Sequence, residues 1–152
     1  MKVGLIFTAW DAESYLPRSL APWVSARHSK LGGHDYMIAA VNCPFIGFDF
    51  GSPGGTRDIL QTCLNRGEID HLVTSDVPVT EIDARSQALR WLVEHGVELI
   101  VQWDSDEMPE AHQISRIFAF VEQTPLVAWY RLCLKNFVFD DKTYLTEPFT
   151  PP

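Results

Sequence analysis

The sequence predicts an α/β domain built as a three-layer sandwich, with helices packed on a mostly parallel central sheet. Three observations predict this class. Short apolar runs recur along the chain, and each is followed by a stretch with the apolar spacing of a helix. The early runs are continuous rather than alternating, as expected of strands covered on both faces. No internal repeat or low-complexity linker interrupts the pattern, so we expect one domain over residues 1–152.

The first half of the chain predicts two strands, each followed by a helix. Val3 to Thr8 is an apolar run that breaks at polar residues, and Tyr36 to Val41 is a second such run. A Gly- and Pro-rich loop, Phe45 to Gly55, leads into a helix that we expect Thr56 to cap and Gly67 to terminate. The first helix is indicated by Pro17, Leu20, Trp23 and Val24, and Pro22 leaves its length open. The second helix is expected to bury Ile59, Leu60, Cys63 and Leu64.

The second half predicts two more strand and helix pairs, then two further strands. Ile69 to Thr74 is the third strand, and Thr80 to Asp83 forms a capping box that opens a helix ending at Gly96. Val97 to Trp103 is the fourth strand, and Pro109 suits the first position of the next helix. We expect the third helix to bury Ile82, Leu89, Leu92 and Val93, the fourth to bury Ile114, Ile117, Phe118 and Val121, and the last strands to be Leu126 to Leu134 and Phe137 to Leu145.

The charge balance indicates which classes of partner to expect. The chain carries 12 Lys and Arg against 20 Asp and Glu, a net charge of -8. Nucleic-acid surfaces need clustered cations, so we expect no nucleic-acid partner. A small anionic ligand remains possible, because a bound divalent cation can supply the positive charge that the side chains lack.

Cysteine usage and hydropathy predict a soluble, cytoplasmic protein. Cys43, Cys63 and Cys133 form no CxxC pair and leave an odd thiol, so neither a disulfide framework nor a thiolate zinc site is indicated. The apolar stretch from Val3 to Phe7 turns polar at Asp11, too soon for the core of a signal peptide. No run of about 18 apolar residues is present, so we expect no transmembrane segment.

The most informative motif is Trp103-Asp104-Ser105-Asp106-Glu107, at the predicted end of the fourth strand. Two carboxylates with one residue between them can converge on a hard divalent cation such as Mg²⁺ or Mn²⁺. That cation keeps coordination positions for the phosphates of a substrate. The alternative interpretation is an acidic helix N-terminus, in which the same side chains cap free amides.

Three segments of the chain, in this order, resemble family 2 glycosyltransferases with the GT-A fold, a Rossmann-like three-layer sandwich. The first is the opening strand and loop from Val3 to Leu16, with Asp11 and Glu13 in place of the usual Asn-Glu pair. The second is Gly51 to Leu60, which is similar to a family loop that leads into a helix. The third joins Ala84-Arg85-Ser86 to Asp104-Ser105-Asp106, which resembles the family's Ala-Arg-Asn helix followed by its metal-binding Asp-x-Asp.

The resemblance implies a set of site residues. Asp104 and Asp106 would hold Mn²⁺ or Mg²⁺, with Asp106 the direct ligand, Asp104 contacting ribose or a bridging water, and Glu107 orienting them. The base-binding Asp of the family maps to Asp49 or to Asn42. The expected contacts of a UDP- or GDP-linked sugar donor are Thr8, Ala9, Trp10, Glu13, Asn42, Asp49, Arg85 and Asp104. Trp10 would stack on a base or sugar, or else be buried in the core.

The resemblance implies that a sugar is transferred from the nucleotide donor to a glycan or another hydroxyl acceptor. We assign no catalytic base: Asp140, Asp141 and Glu147 are the only carboxylates after residue 122, and each is better interpreted as a solvated turn residue. If the chain is truncated at its C-terminus, the base and the acceptor site belong to the missing part.

Two alternatives stay open. A nucleotidyltransferase would carry a Gly-rich, basic phosphate loop near its first strand, and Phe7 to Glu13 contains neither glycine nor a cationic residue. A non-catalytic module that binds nucleotide sugars or a partner protein is the second alternative. The sequence indicates neither the sugar, the acceptor, the stereochemical outcome nor the oligomeric state.

Overall fold

The computed structural model describes residues 1–46 and 54–124, without the side chains of residues 54 and 111. The chain divides into two compact units, Met1–Phe120 and Val121–Pro152, and the fold below is that of the first unit. The predicted strands at Leu126 to Leu134 and Phe137 to Leu145 lie outside the described residues. The expectation of a single domain over residues 1–152 stays a prediction.

Strands and helices alternate through the described residues. A short 3-10 turn, Leu31–Gly33, separates the first helix from the second strand. The strands are β1 (Lys2–Thr8), β2 (Asp35–Asn42), β3 (His71–Thr74) and β4 (Leu99–Asp104), and the helices are α1 (Leu16–Ser29), α2 (Gly54–Asn65), α3 (Glu81–Glu94) and α4 (Ala111–Gln123).

The four strands form a parallel sheet in the order β3-β2-β1-β4. In this register Thr8, the last residue of β1, lies opposite Val41 on β2 and Asp104 on β4. The carboxyl ends of three strands therefore meet at one edge. The predicted α/β class and parallel sheet are confirmed, and the ligand sites of such sheets lie at this edge.

Each face of the sheet carries its own apolar core. On one face Val3, Leu5 and Phe7 of β1 pack in a cluster with residues of α1, α2 and α4, including Trp23, Leu60 and Phe118. On the other face Ile6, Ala39 and Val41 form a cluster with Ala84, Ala88 and Leu92 of α3. Continuous apolar strands are required here because both faces are covered.

The predicted inward face of α3 was wrong for three of its four residues. Ile82, Leu89 and Val93 are 78%, 40% and 58% exposed, whereas Leu92 is buried as expected. The residues that face the sheet with Leu92 are Ala84 and Ala88, at a spacing of four residues. Small alanine side chains allow the helix to lie close to the sheet, so the larger apolar residues fall on an adjacent face.

Helix boundaries differ from the expectations at two points, and the structure gives the length of α1 that Pro22 left open. Thr56 is not the cap of α2, because it is the third residue of the helix, and its hydroxyl accepts a hydrogen bond from the Ala12 amide at 2.8 Å. Pro109 precedes α4 by two residues instead of opening it. Pro22 lies inside α1, which continues to Ser29.

The helix stop and start signals were better predictors. Thr80 caps α3, and its Oγ1 accepts the Asp83 amide at 3.0 Å. Gly67 and Gly96 follow α2 and α3 with φ of 71° and 72°, the left-handed conformation that glycine adopts without strain.

Within the described ranges, none of the helices has the length and apolarity needed to cross a membrane.

Candidate functional site at the carboxyl edge of the sheet

The candidate site is built where β1, β2 and β4 end side by side. Its first component is the loop after β1, which begins at Ala9 and is tied to β2. The Ala9 amide donates to the Val41 carbonyl at 2.9 Å, and Asn42 Nδ2 donates to the Ala9 carbonyl at 2.9 Å. Asn42 Oδ1 accepts from Arg57 Nε at 3.4 Å, and Asn42 is fully buried. Its side chain thus fixes the β1 loop from inside the protein.

The same loop is joined to the start of α2 by two reciprocal hydrogen bonds. Thr56 Oγ1 accepts the Ala12 amide, and the Thr56 amide donates to Glu13 Oε1 at 3.0 Å. Hydrogen bonds from the backbone of Glu13 itself, and then from Thr56, lower the pKa of the Glu13 carboxyl. A Cβ added at Gly55 would lie 2.5 Å from Cγ of Glu13, so this contact requires glycine at position 55. In the structure Glu13 satisfies an amide at the helix N-terminus.

Asp104 is held by a cation from the facing helix. Arg85 Nη2 lies 2.6 Å from Asp104 Oδ1 and 2.6 Å from Glu81 Oε1, so one guanidinium bridges β4 and the first turn of α3. Arg85 and Asp104, which the sequence placed in one site, are therefore brought together. The Arg85 Nε is buried and has no hydrogen-bond partner in the part of the chain that the structure describes.

Residues 104–107 form a tight turn anchored to α1. Glu107 Oε2 accepts the Asp104 amide at 3.1 Å, and the Glu107 carbonyl accepts from Trp103 Nε1 at 2.9 Å and Ser19 Oγ at 2.8 Å. Burial, and then repulsion from Asp104 and Asp106, raises the pKa of the Glu107 carboxyl. Both Asp side chains therefore contribute negative charge near the Glu107 carboxyl.

The electrostatic environment near the exposed Asp106 is acidic. Burial raises the pKa of Tyr15, and the charges of Asp106, Asp11 and Glu13 raise it further, while a hydrogen bond with Ser105 lowers it. A bound cation would relieve this accumulation of negative charge. Sequence reasoning did not find Tyr15, because a lone tyrosine before a helix carries no motif.

Two further buried polar atoms at this edge have no hydrogen-bond partner among the described residues. Thr8 is 7% exposed, yet its Oγ1 makes no hydrogen bond within residues 1–46 and 54–124. The buried Nε1 of Trp10 likewise makes no hydrogen bond within these residues. Buried polar groups without a partner cost about 1–3 kcal/mol each, so such atoms are rare and need an explanation. A bound ligand that supplies acceptors is one explanation.

One expected site residue lies outside the described residues, and two residues at this edge were not expected from the sequence. Asp49, the alternative base contact, lies outside the described residues, as do Asp140, Asp141 and Glu147. Arg57 was missed as a site residue: it donates to Ser75, Asp76 and Asn42 beside the end of β3. Glu81 was missed as the partner of Arg85, although their spacing of four residues on a helix would have indicated the pair.

The donor set suits a metal that is shared with a ligand. Among the described residues, no three or more His, Cys, Asp and Glu side chains converge to hold an ion. Mg²⁺ and Mn²⁺ sites in nucleotide-dependent enzymes need only one or two carboxylates, since phosphate oxygens and water complete the coordination. Asp104 and Asp106 supply two carboxylates, which is fewer than a closed protein cage requires.

Comparisons with known proteins support the fold. No protein-family model matches the sequence, and no curated protein matches it. The structure is similar to a solved glycosyltransferase, S. aureus TarS 1–349, with a TM-score of 0.54 and 16% identity. The similarity covers 81% of this chain and 33% of the TarS chain, so this chain spans about a third of that length. The described unit therefore shares a Rossmann-like α/β fold with that structure.

Proposed function

We propose that this chain forms the nucleotide-sugar-binding part of a metal-dependent glycosyltransferase of the family 2 type. The observation that carries the proposal is the position of Asp104. It lies opposite Thr8 at the carboxyl edge of a parallel sheet with a glycosyltransferase-like fold, and the exposed Asp106 follows two residues later. This edge is where α/β sheets of this class bind their ligands.

The proposed metal contacts are based on the exposure of Asp106 and on the ion pair between Asp104 and Arg85. Asp106 is the direct ligand of Mn²⁺ or Mg²⁺, because it is exposed at the tip of the turn. Asp104 contacts ribose or a metal-bound water with whichever of its oxygens is not engaged by Arg85. Glu107 holds the turn through the Asp104 amide. When bound, the cation neutralises charge on the diphosphate as the bond between sugar and phosphate breaks.

The proposed nucleotide contacts lie on the β1 loop and on α3. Thr8 Oγ1, Trp10 Nε1 and Arg85 Nε are buried polar atoms with no hydrogen-bond partner among the residues that the structure describes, and each can donate to an oxygen of a nucleotide diphosphate or base. Ala9 offers the backbone of a loop that Asn42 keeps in place. Glu13 supports the site by joining this loop to α2. The base contact suggested by the family resemblance stays Asp49 or Asn42.

The donor is proposed to be a UDP- or GDP-linked sugar, and the acceptor a glycan or another hydroxyl compound. A non-catalytic nucleotide-sugar-binding module is the second candidate.

Turnover separates the two candidates. The purified chain is incubated with Mn²⁺ and a panel of UDP- and GDP-sugars, and released nucleoside diphosphate is measured. A transferase domain releases nucleotide slowly even without acceptor, and Asp106→Asn abolishes the release, while Glu94→Gln, at the opposite end of α3, leaves it unchanged. Metal-dependent binding without release would favour the binding module, and absence of both binding and release would contradict the proposed function.

A further inference from the structure

The two faces of the sheet are covered unequally by the described helices. Residues of α1, α2 and α4 join the core cluster on one face, whereas α3 supplies the helical residues of the cluster on the other. On the α3 side, three large apolar residues remain exposed: Ile82, Leu89 and Val93. Removing apolar side chains from water is favourable, so the exposure of three of them on one helix favours an occupant.

These residues have the spacing of a helix-pairing seam. Ile82, Ser86, Leu89 and Val93 follow one another at intervals of four, three and four residues, the spacing of core positions in a coiled coil. Ala84, Ala88 and Leu92 already face the sheet, so the seam is a second apolar surface beside the buried one. We refer to Ile82, Ser86, Leu89 and Val93 as the α3 seam.

The α3 seam lies on the side of the helix that faces β4. Arg85, adjacent to Leu89 on the helical surface, reaches across to Asp104 on β4. Within the described ranges β4 pairs with β1 alone, so its outer edge has no paired strand there. Its apolar residues Leu99, Ile100 and Val101 are only partly buried, in contrast to those of β1. Both the α3 seam and the apolar residues of β4 are therefore incompletely covered.

Charged residues beside the seam indicate the occupant. Asp83 and Arg90 each follow a seam residue by one position and line the same exposed flank, with opposite charges near the two ends of the helix. When two identical helices pair in antiparallel orientation about a twofold axis, the same flank of each faces the other. Asp83 of one copy then meets Arg90 of the second, and the contact occurs twice.

We propose that the α3 seam is a homodimer interface, in which α3 of a second copy of this chain pairs with it in antiparallel orientation. Ile82 packs near Val93 of the second copy, and Ser86 near its Leu89, because these pairs are equidistant from the centre of the seam. The small Ser86 makes room for Leu89. The inference does not rest on the proposed function, since it concerns residues outside the nucleotide site.

Charge exchange gives a specific test. The mass of the full chain is measured by sedimentation velocity over about a hundredfold range of concentration. The wild-type chain is expected to dimerise. Arg90→Glu places two acidic side chains together at each contact and weakens the dimer about tenfold. The double variant Asp83→Arg with Arg90→Glu restores opposite charges and the dimer.

Two further variants separate interface loss from misfolding. Leu89→Glu places a charge in the seam and gives a monomer, while Gln87→Glu, exposed on another face of α3, leaves the dimer intact. Circular dichroism of each variant shows whether α3 still folds. A wild-type monomer at all concentrations, a dimer unaffected by Leu89→Glu, or a double charge variant no tighter than Arg90→Glu would each overturn the inference. Loss of nucleotide binding alone would leave it standing.

Discussion

The guanidinium of Arg85 on α3 lies 2.6 Å from the carboxylate of Asp104 on β4, across the end of β1. The same nitrogen is 2.6 Å from Glu81. One of the two candidate metal ligands is therefore already neutralised by a protein cation. A divalent ion that uses Asp104 competes with Arg85 for it, whereas a diphosphate ligand gives Arg85 an alternative anionic partner.

Arg85→Gln is expected to change metal and nucleotide binding in opposite directions. Removing the cation frees Asp104, so Mn²⁺ alone binds about fivefold more tightly to the nucleotide-free protein, a gain of about 1 kcal/mol. A nucleoside diphosphate binds more weakly, because a donor to its oxygens is lost. Calorimetry measures both affinities. Arg116→Gln, at an exposed position on α4, is the matched control. Tighter binding of both ligands, or weaker binding of both, would contradict this assignment of Arg85.

Gly55→Ala is expected to destabilise the protein through Glu13. The new Cβ would lie 2.5 Å from Cγ of Glu13, so that side chain has to leave the Thr56 amide. We expect Gly55→Ala to lower the free energy of unfolding by about 1 kcal/mol, as measured by urea denaturation. In a Glu13→Ala background the clash is absent, and the same substitution is nearly neutral. An equal cost in both backgrounds would show that the two residues are not coupled.

The orientation of α3 predicts that two leucine-to-alanine substitutions in this helix lower the free energy of unfolding by different amounts. Leu92 is fully buried against the sheet and Leu89 is 40% exposed. Leu92→Ala is expected to cost about 2–5 kcal/mol because it opens a cavity. Leu89→Ala should cost less than about 1 kcal/mol at concentrations where the protein is monomeric. Urea denaturation of both variants provides the comparison, and similar costs would show that the helix faces the sheet differently.

Stability is expected to fall below neutral pH because of His71. Its ring stacks on Trp91 at 4.8 Å, and burial, followed by the charge of His95, lowers the pKa of His71 below 6.5. The unfolded chain then binds a proton at His71 more readily than the folded chain does. The contribution of His71 to the free energy of unfolding is therefore complete above about pH 6.5 and is lost as the pH falls toward the folded-state pKa. His71→Phe keeps an aromatic ring at this position and should show a smaller decrease in the urea midpoint between about pH 7.5 and 5.5. An unchanged decrease would contradict this role.

The sequence predicted the order and type of the described elements because their signals are local. Continuous apolar runs such as Val3 to Thr8 indicate strands covered on both faces, and Gly67 and Gly96 mark the ends of helices. The orientation of α3 was predicted wrongly because Ala84 and Ala88 carry little hydrophobic signal, although their size is what suits the close contact.

The site was predictable only where its residues follow a strand or a known spacing. Asp104 falls at the end of β4 as expected, and its contact with Arg85 agrees with the segments singled out by the family resemblance. The contact of Glu13 with Gly55 and Thr56 joins residues more than forty positions apart, and no local pattern encodes it. The full burial of Asn42 likewise depends on how β2 packs against the β1 loop.

The central claim is that Asp106, together with Asp104, binds a nucleoside diphosphate through a divalent cation. Calorimetry with UDP and GDP, with and without Mn²⁺, tests it most directly. We predict that one of the two nucleotides binds with Mn²⁺ and at least about tenfold more weakly without it, and that Asp106→Asn removes this difference while Glu94→Gln retains it. Equal binding with and without the metal, or full metal dependence in Asp106→Asn, would contradict the claim.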